Sequence, residues 1–337
     1  MPVKDIFKLI ERLCGESPER EAQMLLGEFA PVSIDSIGNL SATLPGQKPG
    51  HILLEAHLDQ IALVVTHVDD DGFLSVAKSG GVDLRVLAGE ELLILTDKPL
   101  LGVVCSTPPH IRSDDKSKLK AEDLYIDTGL GILAKEHIPI GTRVVFNKPP
   151  KMLTGGQVTA PALDNRAGVI ALLLAGEMLR ESNQPLPNVT ILLSNHEELG
   201  NRGAKTGAFA AAADMAISVD VSFGQDKTTP PHKAGKLNGG PMIGISPVLS
   251  KRMTGVIIEL AKRGEIPYQT EVMGGVTGTN ADVIALTKSG VETGLLSIPL
   301  KNMHTAVETA ALDDVKNTAR LICEFVKTKF SEVKRYA

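Results

Sequence analysis

The chain has 337 residues, of which 43% are hydrophobic, and a formal net charge of −5. This length is sufficient for two domains with a substantial core. The negative charge and the lack of a basic cluster argue against a nucleic-acid partner, and no apolar run approaches the length of a membrane span. The start of the chain lacks the apolar core of a signal peptide, and the three cysteines have no metal-like spacing. We therefore expect a cytoplasmic protein with reduced thiols and no membrane partner.

Helices and then strands are predicted for the N-terminal part of the chain. Apolar spacing predicts a helix over residues 4–13, and Ser17–Pro18 predicts the cap and first turn of a second helix that reaches about Phe29. A hairpin follows, with Asp69–Gly72 as its turn, between predicted strands at Ile61–Val68 and Phe73–Ala77. From about residue 66 to 156, short β-type runs alternate with turns.

After Ala160, strands alternate with helices again, and the last predicted helix is Leu312–Phe330. This pattern predicts an α/β domain formed by residues 1–65 and 157–337, interrupted by a smaller β-rich domain over residues 66–156. The Pro- and Gly-rich stretch Thr228–Pro247 is interpreted as a loop, either a wall of a substrate pocket or a plain surface loop. Thr305–Glu308 has the spacing of a capping box, which predicts a structural role for Glu308.

Two adjacent carboxylates, Glu197 and Glu198, closely follow the apolar run Val189–Leu193. Adjacent residues that leave a strand point to different sides, so one carboxylate can bind a cation while the other moves a proton. Metal-assisted hydrolysis requires this division of roles. Such a pair taken alone is also typical of a solvated surface.

Further potential ligands lie at the carboxyl ends of other apolar runs or just before a helix. They are His57, Asp59, Asp164, Asp220 and His304. Open α/β sheets bind ligands outside the carboxyl ends of their strands, so we expect these side chains to converge. A carboxylate two residues from a histidine also suggests a metal ligand and the group that orients it.

Each of these residues has a plainer interpretation. Asp164 immediately precedes the predicted helix Arg166–Leu179 and could be its N-cap. A single histidine, such as His304 after the predicted break at Pro299, is more often a surface residue. Asp59 and Asp220 could cap turns. A metal site explains all the placements together, and we favour it.

Four blocks of the sequence resemble the signatures of one protein family. They are Ala56–Ile61, Ala162–Gly168, His196–Gly200 and Ile298–Thr305. Shorter blocks at Asp35–Leu40, Tyr125–Gly129 and Gly278–Ala281 extend the resemblance over nearly the whole chain. The chain is similar to the two-metal aminopeptidases, which include glutamyl aminopeptidase, the tetrahedral aminopeptidases and proteins once labelled endoglucanase M.

The resemblance implies hydrolysis of the N-terminal peptide bond of short peptides with a free N-terminus. It implies two divalent metal ions, with zinc favoured and cobalt or manganese as alternatives because the ligands are nitrogen and oxygen atoms. Asp164 would bridge the ions, with His57 and Asp220 on one ion and Glu198 and His304 on the other. Glu197 would act as general base towards a water that bridges the metals, and Asp59 would lie behind His57.

The resemblance also implies an architecture and an assembly. The catalytic domain would have a mixed sheet with helices on both faces, and the insertion would be a small PDZ-like or barrel domain that mediates dimerisation. Dimers would assemble into a hollow tetrahedral dodecamer. Residues that depart from the common family pattern are Gln60, Asn165, His196, Asn280 and Lys301–Asn302. They leave the side-chain preference open; Lys301 or Lys233 would suit an acid-preferring pocket.

Two other functions stay open at this point. A related metal-dependent amidohydrolase, such as a deacylase or dipeptidase, would use the same metal site on a different substrate. Paired carboxylates also occur in glycosidases, but sugar sites usually offer aromatic faces. A chain with no Trp and three Tyr is a poor candidate for such a site.

Overall fold

The computed structural model describes residues 5–15, 17–107, 110, 124–182 and 184–328. The chain divides into two compact units. The first unit consists of Met1–Asp59, Pro150–Met303 and Glu308–Ala337, and the second of Gln60–Pro149 and His304–Val307. The catalytic and dimerising roles expected for two such parts of the chain stay predictions.

Helices and strands alternate along much of the described chain. The helices are α1 (Ile6–Leu13), α2 (Pro18–Gly27), α3 (Ala134–His137), α4 (Leu163–Glu181), α5 (Arg202–Ala211), α6 (Lys251–Arg263), α7 (Ala281–Ile284) and α8 (Leu312–Lys327). The strands are β1 (Ser33–Ile34), β2 (Leu40–Leu44), β3 (His51–His57), β4 (Ala62–Val68), β5 (Leu74–Ser79), β6 (Glu91–Ile94), β7 (Leu100–Ser106), β8 (Leu124–Asp127), β9 (Arg143–Phe146), β10 (Lys151–Leu153), β11 (Gln157–Ala160), β12 (Asn188–Ser194), β13 (Met215–Phe223), β14 (Met242–Ile245), β15 (Gln269–Val272), β16 (Glu292–Lys301) and β17 (Glu308–Ala311).

The first unit contains an 11-stranded mixed sheet with the order β1-β2-β12-β3-β13-β16-β17-β11-β10, and β14 joins β16 to β15. Its central strands β12, β3, β13 and β16 are parallel, so their carboxyl ends meet at one edge. Ser194 pairs with His57, and Ser218 pairs with Glu55. This register places Asp220, two residues after Ser218, level with the end of β3.

Helices cover both faces of this sheet because the buried strands are apolar on both sides. Ile52 and Leu54 of β3 belong to the main core, which includes residues of α1, α2, α4, α6 and α8. Leu53 points the opposite way and packs in a separate cluster with Ala208 of α5 and Ile284 of α7. The predicted mixed sheet with helices on both faces is confirmed.

The second unit contains a closed barrel of strands in the order β4-β5-β8-β7-β6-β9, which confirms the barrel form of the predicted insertion. Its core includes Val65, Leu74 and Ile126. The predicted hairpin turn is also confirmed. The Oδ1 atom of Asp69 accepts the backbone N–H of Phe73 at 2.8 Å, and Gly72 has a φ of 92° that suits glycine.

Three local predictions were wrong. The strand does not break at Pro299, because β16 continues to Lys301. Pro299 lies between the segments that pair with β14 and with β17, where the missing N–H of proline is tolerated. Thr305–Glu308 is not a capping box, since Glu308 begins the strand β17. The Thr228–Pro247 stretch is not all loop, because it contains β14.

The remaining predictions concern thiols, membrane and chain ends. Cys14, Cys105 and Cys323 are free thiols. Over the described ranges, no helix is long and apolar enough to cross a membrane. The predicted start of the first helix at residue 4 and the predicted end of the last helix at residue 330 lie outside the described residues.

Candidate metal centre

His57 lies at the carboxyl end of β3 and is buried. Its Nε2 atom lies 3.1 Å from Oδ1 of Asp164 and 3.7 Å from Oδ1 of Asp220. Burial opposes the charged imidazolium, but the hydrogen bonds to Asp164, Asp220 and Asp59 outweigh it and raise the pKa of His57 above its ordinary value. The imidazole is therefore surrounded by carboxylates.

Asp59 lies on the other side of the His57 ring. Its Oδ1 atom is 3.5 Å from Nδ1 of His57, and its backbone carbonyl oxygen is 3.2 Å from the same nitrogen. The Asp59 carboxylate also accepts the backbone N–H groups of Glu197 at 3.0 Å and Glu198 at 3.2 Å. One buried carboxylate thus contacts both the histidine and the loop that carries the adjacent glutamates.

Asp164 is not the N-cap of its helix. Its φ of −81° and ψ of 100° are non-helical, and it lies within a kink at the start of α4. The capping-type hydrogen bond within this kink comes from Asn165, whose Oδ1 accepts the N–H of Gly168 at 3.1 Å and whose Nδ2 donates to the carbonyl of Val219 at 2.7 Å. The backbone N–H of Asp164 donates to Oε2 of the buried Glu308 at 3.0 Å. The Asp164 side chain is therefore not used for capping.

Three ligand-type side chains converge at the carboxyl ends of the strands. One donor atom each from His57, Asp164 and Asp220 lies within 4.8 Å of the others, and all three residues are buried. Ligand oxygens of Asp164 and Glu198 also lie within 4.8 Å of each other. A nitrogen and several carboxylate oxygens at this spacing form a donor set that suits a divalent cation such as zinc.

Glu197 and Glu198 lie on the half-buried loop between β12 and α5. Asn39 holds this loop, since its Oδ1 accepts the N–H of Asn195 at 2.8 Å and its Nδ2 donates to the carbonyl of Gly203 at 2.9 Å. The block Asp35–Leu40 therefore has a structural role, because its Asn39 holds the loop that carries the two glutamates in place.

The electrostatics of this loop favour a cation nearby. Burial, together with the charges of Asp220, Glu198 and Asp164, outweighs the opposing effect of His57 and raises the pKa of Glu197 to about 8. Burial also raises the pKa of Asp220, despite its hydrogen bond to His57. A bound divalent cation would relieve this crowding of negative charge.

His304 begins the short segment His304–Val307 of the second unit. Its Nδ1 atom lies 3.2 Å from the carbonyl oxygen of Gly81. A Cβ atom on Gly81 would clash with the same nitrogen, so a larger residue there would displace the His304 ring. His304 and the neighbouring Asn302 have positive φ angles of 63° and 55°, which non-glycine residues adopt mainly where the surrounding structure requires it.

Several polar residues of this region were not predicted as part of it. They are Asn39, Glu55, Asn201 and Glu308. Glu55 lies within an apolar run, and burial raises its pKa to about 7 although Ser194 and Ser218 donate hydrogen bonds to it. In the sequence, Glu55 could have been recognised as a charged residue within an otherwise apolar strand.

A carboxylate- and histidine-rich cluster at the strand ends of a mixed α/β sheet is typical of a metal-dependent hydrolase. The family model described as M42 glutamyl aminopeptidase matches residues 38–321. The chain therefore belongs to this family of peptidases, and it is a metal-dependent enzyme that acts on peptide bonds.

Curated relatives and solved structures agree with this family. The chain is 33% identical over 297 residues to lysyl aminopeptidase of Pyrococcus furiosus, covering 86% of this chain and 85% of the relative. An aminopeptidase from the archaeon Desulfurococcus kamchatkensis is 30% identical with a TM-score of 0.89, over 97% of this chain and 96% of that one. The TET1 peptidase of Pyrococcus horikoshii, which can assemble into a tetrahedron or a large octahedral shell, is 31% identical with a TM-score of 0.82, over 94% and 99%.

Proposed function

We propose that this chain is a two-metal aminopeptidase that releases the N-terminal residue of short peptides. The proposed ligands are His57, Asp164, Asp220, Glu198 and His304, with Asp164 shared between the ions. The observation that carries the proposal is the convergence of His57, Asp164 and Asp220 within 4.8 Å, beside a loop that bears two further carboxylates. The donor set contains oxygen and nitrogen but no thiolate, which suits zinc and leaves cobalt and manganese as alternatives.

When bound, the ions would polarise the scissile carbonyl and supply positive charge opposite a developing oxyanion. Glu197 accepts the proton of the attacking water and delivers it to the departing amine nitrogen. Asp59 has two roles in this scheme. Its backbone carbonyl oxygen and its carboxylate lie beside Nδ1 of His57, which would keep the proton on Nδ1 and leave Nε2 to a bound metal, and its carboxylate fixes the backbone of Glu197 and Glu198.

We further propose that the chain forms homo-oligomers, with its second unit as the dimerising part. Support comes from the solved TET1 peptidase, which can assemble into a tetrahedron or a large octahedral shell and is similar over 94% of this chain. The experiment below tests which side chain the enzyme prefers at the N-terminus of its substrate, because the similar proteins are described as glutamyl and as lysyl aminopeptidases.

The test is hydrolysis of a panel of aminoacyl anilides, each with a free or an acetylated amine, by metal-stripped protein before and after addition of zinc, cobalt or manganese. We expect release from free-amine substrates only, restored by metal. Glu197→Gln is expected to lower kcat by about 100- to 10,000-fold. Glu259→Gln, which changes a glutamate on α6, serves as the matched control and should retain activity.

Other outcomes would contradict parts of the proposal. Metal-dependent turnover of acetylated substrates would favour the alternative amidohydrolase function. Full activity of Glu197→Gln would remove Glu197 as general base. Retention of activity after complete metal removal, verified by elemental analysis, would overturn the metal-dependent mechanism itself.

A further inference from the structure

A chain of hydrogen bonds connects Glu197 to a buried carboxylate of the sheet. Nδ2 of Asn201 donates to Oε1 of Glu197 at 3.1 Å and to Oδ1 of Asn280 at 3.0 Å. Nδ2 of Asn280 donates in turn to Oε1 of Glu55 at 2.6 Å. The two asparagines therefore link the proposed general base to β3, in the centre of the sheet.

The hydrogen bonds in this chain form one consistent donor and acceptor arrangement. The Glu55 carboxylate accepts from Ser194 at 2.6 Å, from Ser218 at 2.7 Å and from Nδ2 of Asn280 at 2.6 Å. Asn280 turns its nitrogen towards Glu55, and its oxygen then faces Asn201. Both hydrogens of the Asn201 amide are consequently used, one on Asn280 and one on Glu197.

The far end of the chain is rigidly held. Glu55 is 0% exposed and Asn280 is 1% exposed. Nδ2 of Asn280 has a second bond, to Oγ of Ser194 at 3.0 Å, so its side chain is fixed at several points. Asn201 lies at the N-cap position of α5 with a φ of 59°, a left-handed conformation that asparagine tolerates better than most residues. The half-buried Glu197 is thus the one member that depends on the others for its orientation.

The identity of residue 280 fits this arrangement. An aspartate here would place a second carboxylate against Oε1 of Glu55, at the position where Asn280 now donates. The Asn280 amide supplies both a donor for Glu55 and an acceptor for Asn201.

We propose that Asn201 and Asn280 are positioning residues that hold the Glu197 carboxylate in its working orientation by tying it to Glu55. This inference rests on the proposed function, in which Glu197 is the general base. A misdirected base affects the reaction step more than substrate binding. Loss of the chain should therefore lower kcat and leave KM nearly unchanged.

Asn201→Gly is the decisive variant, because glycine accepts the φ of 59° without strain while the amide is removed. We expect kcat to fall by about 10- to 100-fold, as is typical for residues that orient a reacting group. KM and the metal content per chain should stay close to wild-type values. Lys205→Ala is the matched control, since Lys205 is exposed on the same helix and lies outside this chain of hydrogen bonds.

A crystal structure of metal-free Asn201→Gly provides a readout that is independent of turnover. We expect the Glu197 carboxylate to leave its wild-type position or to occupy several rotamers, while Asp59 and the backbone of Glu197 stay in place. An unchanged, single Glu197 rotamer in the variant would overturn the positioning role.

Exchanging the charges of residues 55 and 280 distinguishes a positioning role from a loss of stability. Asn280→Asp should lower kcat because two carboxylates then face each other. Adding Glu55→Gln gives a pair in which residue 55 donates and residue 280 accepts, while the new carboxylate at position 280 still accepts from Asn201. We expect the double variant Glu55→Gln/Asn280→Asp to recover most of the lost kcat, measured well below the melting temperature of each variant.

The outcomes also separate this inference from the proposed function. If wild-type protein hydrolyses free-amine substrates but Asn201→Gly has an unaltered kcat, the positioning role is wrong and the proposed function stands. A kcat of Glu55→Gln/Asn280→Asp no higher than that of Asn280→Asp would also overturn the positioning role. If wild-type protein shows no metal-dependent hydrolysis and Glu197→Gln changes nothing, both are wrong.

Discussion

Buried carboxylates occur in two contrasting surroundings in the first unit. At the strand ends, Asp164, Asp220 and Glu197 crowd around one histidine. At the start of α8, Asp314 accepts the backbone N–H groups of Asn238 at 2.8 Å and Gly240 at 2.7 Å. Both regions bury acidic groups, but the second offers its carboxylate a pair of backbone donors in place of further buried carboxylates.

The difference separates the proposed metal site from a structural anchor. Burial raises the pKa of Asp314 to about 6, although its two backbone hydrogen bonds lower it. At the strand ends, neighbouring carboxylates add to the effect of burial and raise the pKa of Glu197 to about 8. Asp314 fastens the loop at residues 238–240 without any ligand, whereas the crowded carboxylates gain most from a cation.

The largest effect should come from Asp164→Asn, which keeps the shape of the side chain and removes its charge. Metal affinity should fall by more than about 100-fold, because loss of a ligand exceeds the effect of losing an orienting residue. The metal-free variant should be more stable than metal-free wild type by about 1 kcal/mol, since one repelling buried charge is gone. Metal titration by calorimetry and urea unfolding measure the two quantities.

This prediction combines lower metal affinity with higher stability of the metal-free protein, and each part can be contradicted separately. Undiminished metal binding would show that Asp164 is not a ligand. A metal-free variant that is less stable than wild type would show that the carboxylate is compensated by other groups of the chain. Asp226→Asn is the control, since Asp226 is exposed and accepts only local hydrogen bonds from Thr228 and Thr229.

A smaller functional effect is expected for Asp59→Asn. Asparagine keeps one acceptor oxygen but cannot accept from both Glu197 N–H and Glu198 N–H. Activity should fall by about 10- to 100-fold, the usual effect of replacing a group that orients a metal ligand. Steady-state kinetics at saturating metal measure it, and activity within about twofold of wild type would contradict the role of Asp59.

The positions of the strand-end residues could be predicted because they depend on local pattern. An apolar run that ends in a polar residue, as at His57 and Asp220, indicates the same edge of a parallel sheet whatever the strand order. The contact between Glu55 and Asn280 joins residues 225 apart in sequence. It depends on which strands and helices become neighbours, and no local spacing contains that information.

Predictions from local patterns were wrong where pairing with neighbouring strands determines the structure. Pro299 is a strand breaker in isolation, but β16 changes partner near it and continues. Thr305–Glu308 has capping spacing, yet Glu308 pairs as part of β17 and binds the N–H of Asp164. Tertiary pairing overrode local propensity in both cases.

Stability rather than function should change in Asp314→Ala. The substitution leaves the N–H groups of Asn238 and Gly240 without their acceptor, which should cost about 1–3 kcal/mol of unfolding free energy. Metal affinity should be unaltered. Asp313→Ala, at the exposed neighbouring position, is the control and should change stability by less than about 0.5 kcal/mol. A loss of metal binding in Asp314→Ala would show that the two regions are coupled.

The smallest expected effect is the pH dependence that Asp314 contributes. Its pKa is about 6 in the folded protein, against an ordinary value of 3.8, because burial outweighs the backbone hydrogen bonds and the charge of Asp313 adds to it. Between these two values the folded state holds a proton that the unfolded state has released. The stabilising contribution of the carboxyl is therefore fully present below the lower pKa, and it is lost as the pH rises through about 6.

Asp314→Asn removes this titration, so the unfolding free energy of wild type minus that of the variant should change with pH. The difference should increase by about 1 kcal/mol in favour of wild type when the pH falls from about 7 to about 5. Urea unfolding of metal-free protein at several values across this range measures it. Other carboxyl groups titrate in both proteins and cancel in the difference. A constant difference would mean that Asp314 stays ionised throughout and that its two backbone donors fully offset its burial. A difference that moves the other way would equally contradict the raised pKa of Asp314.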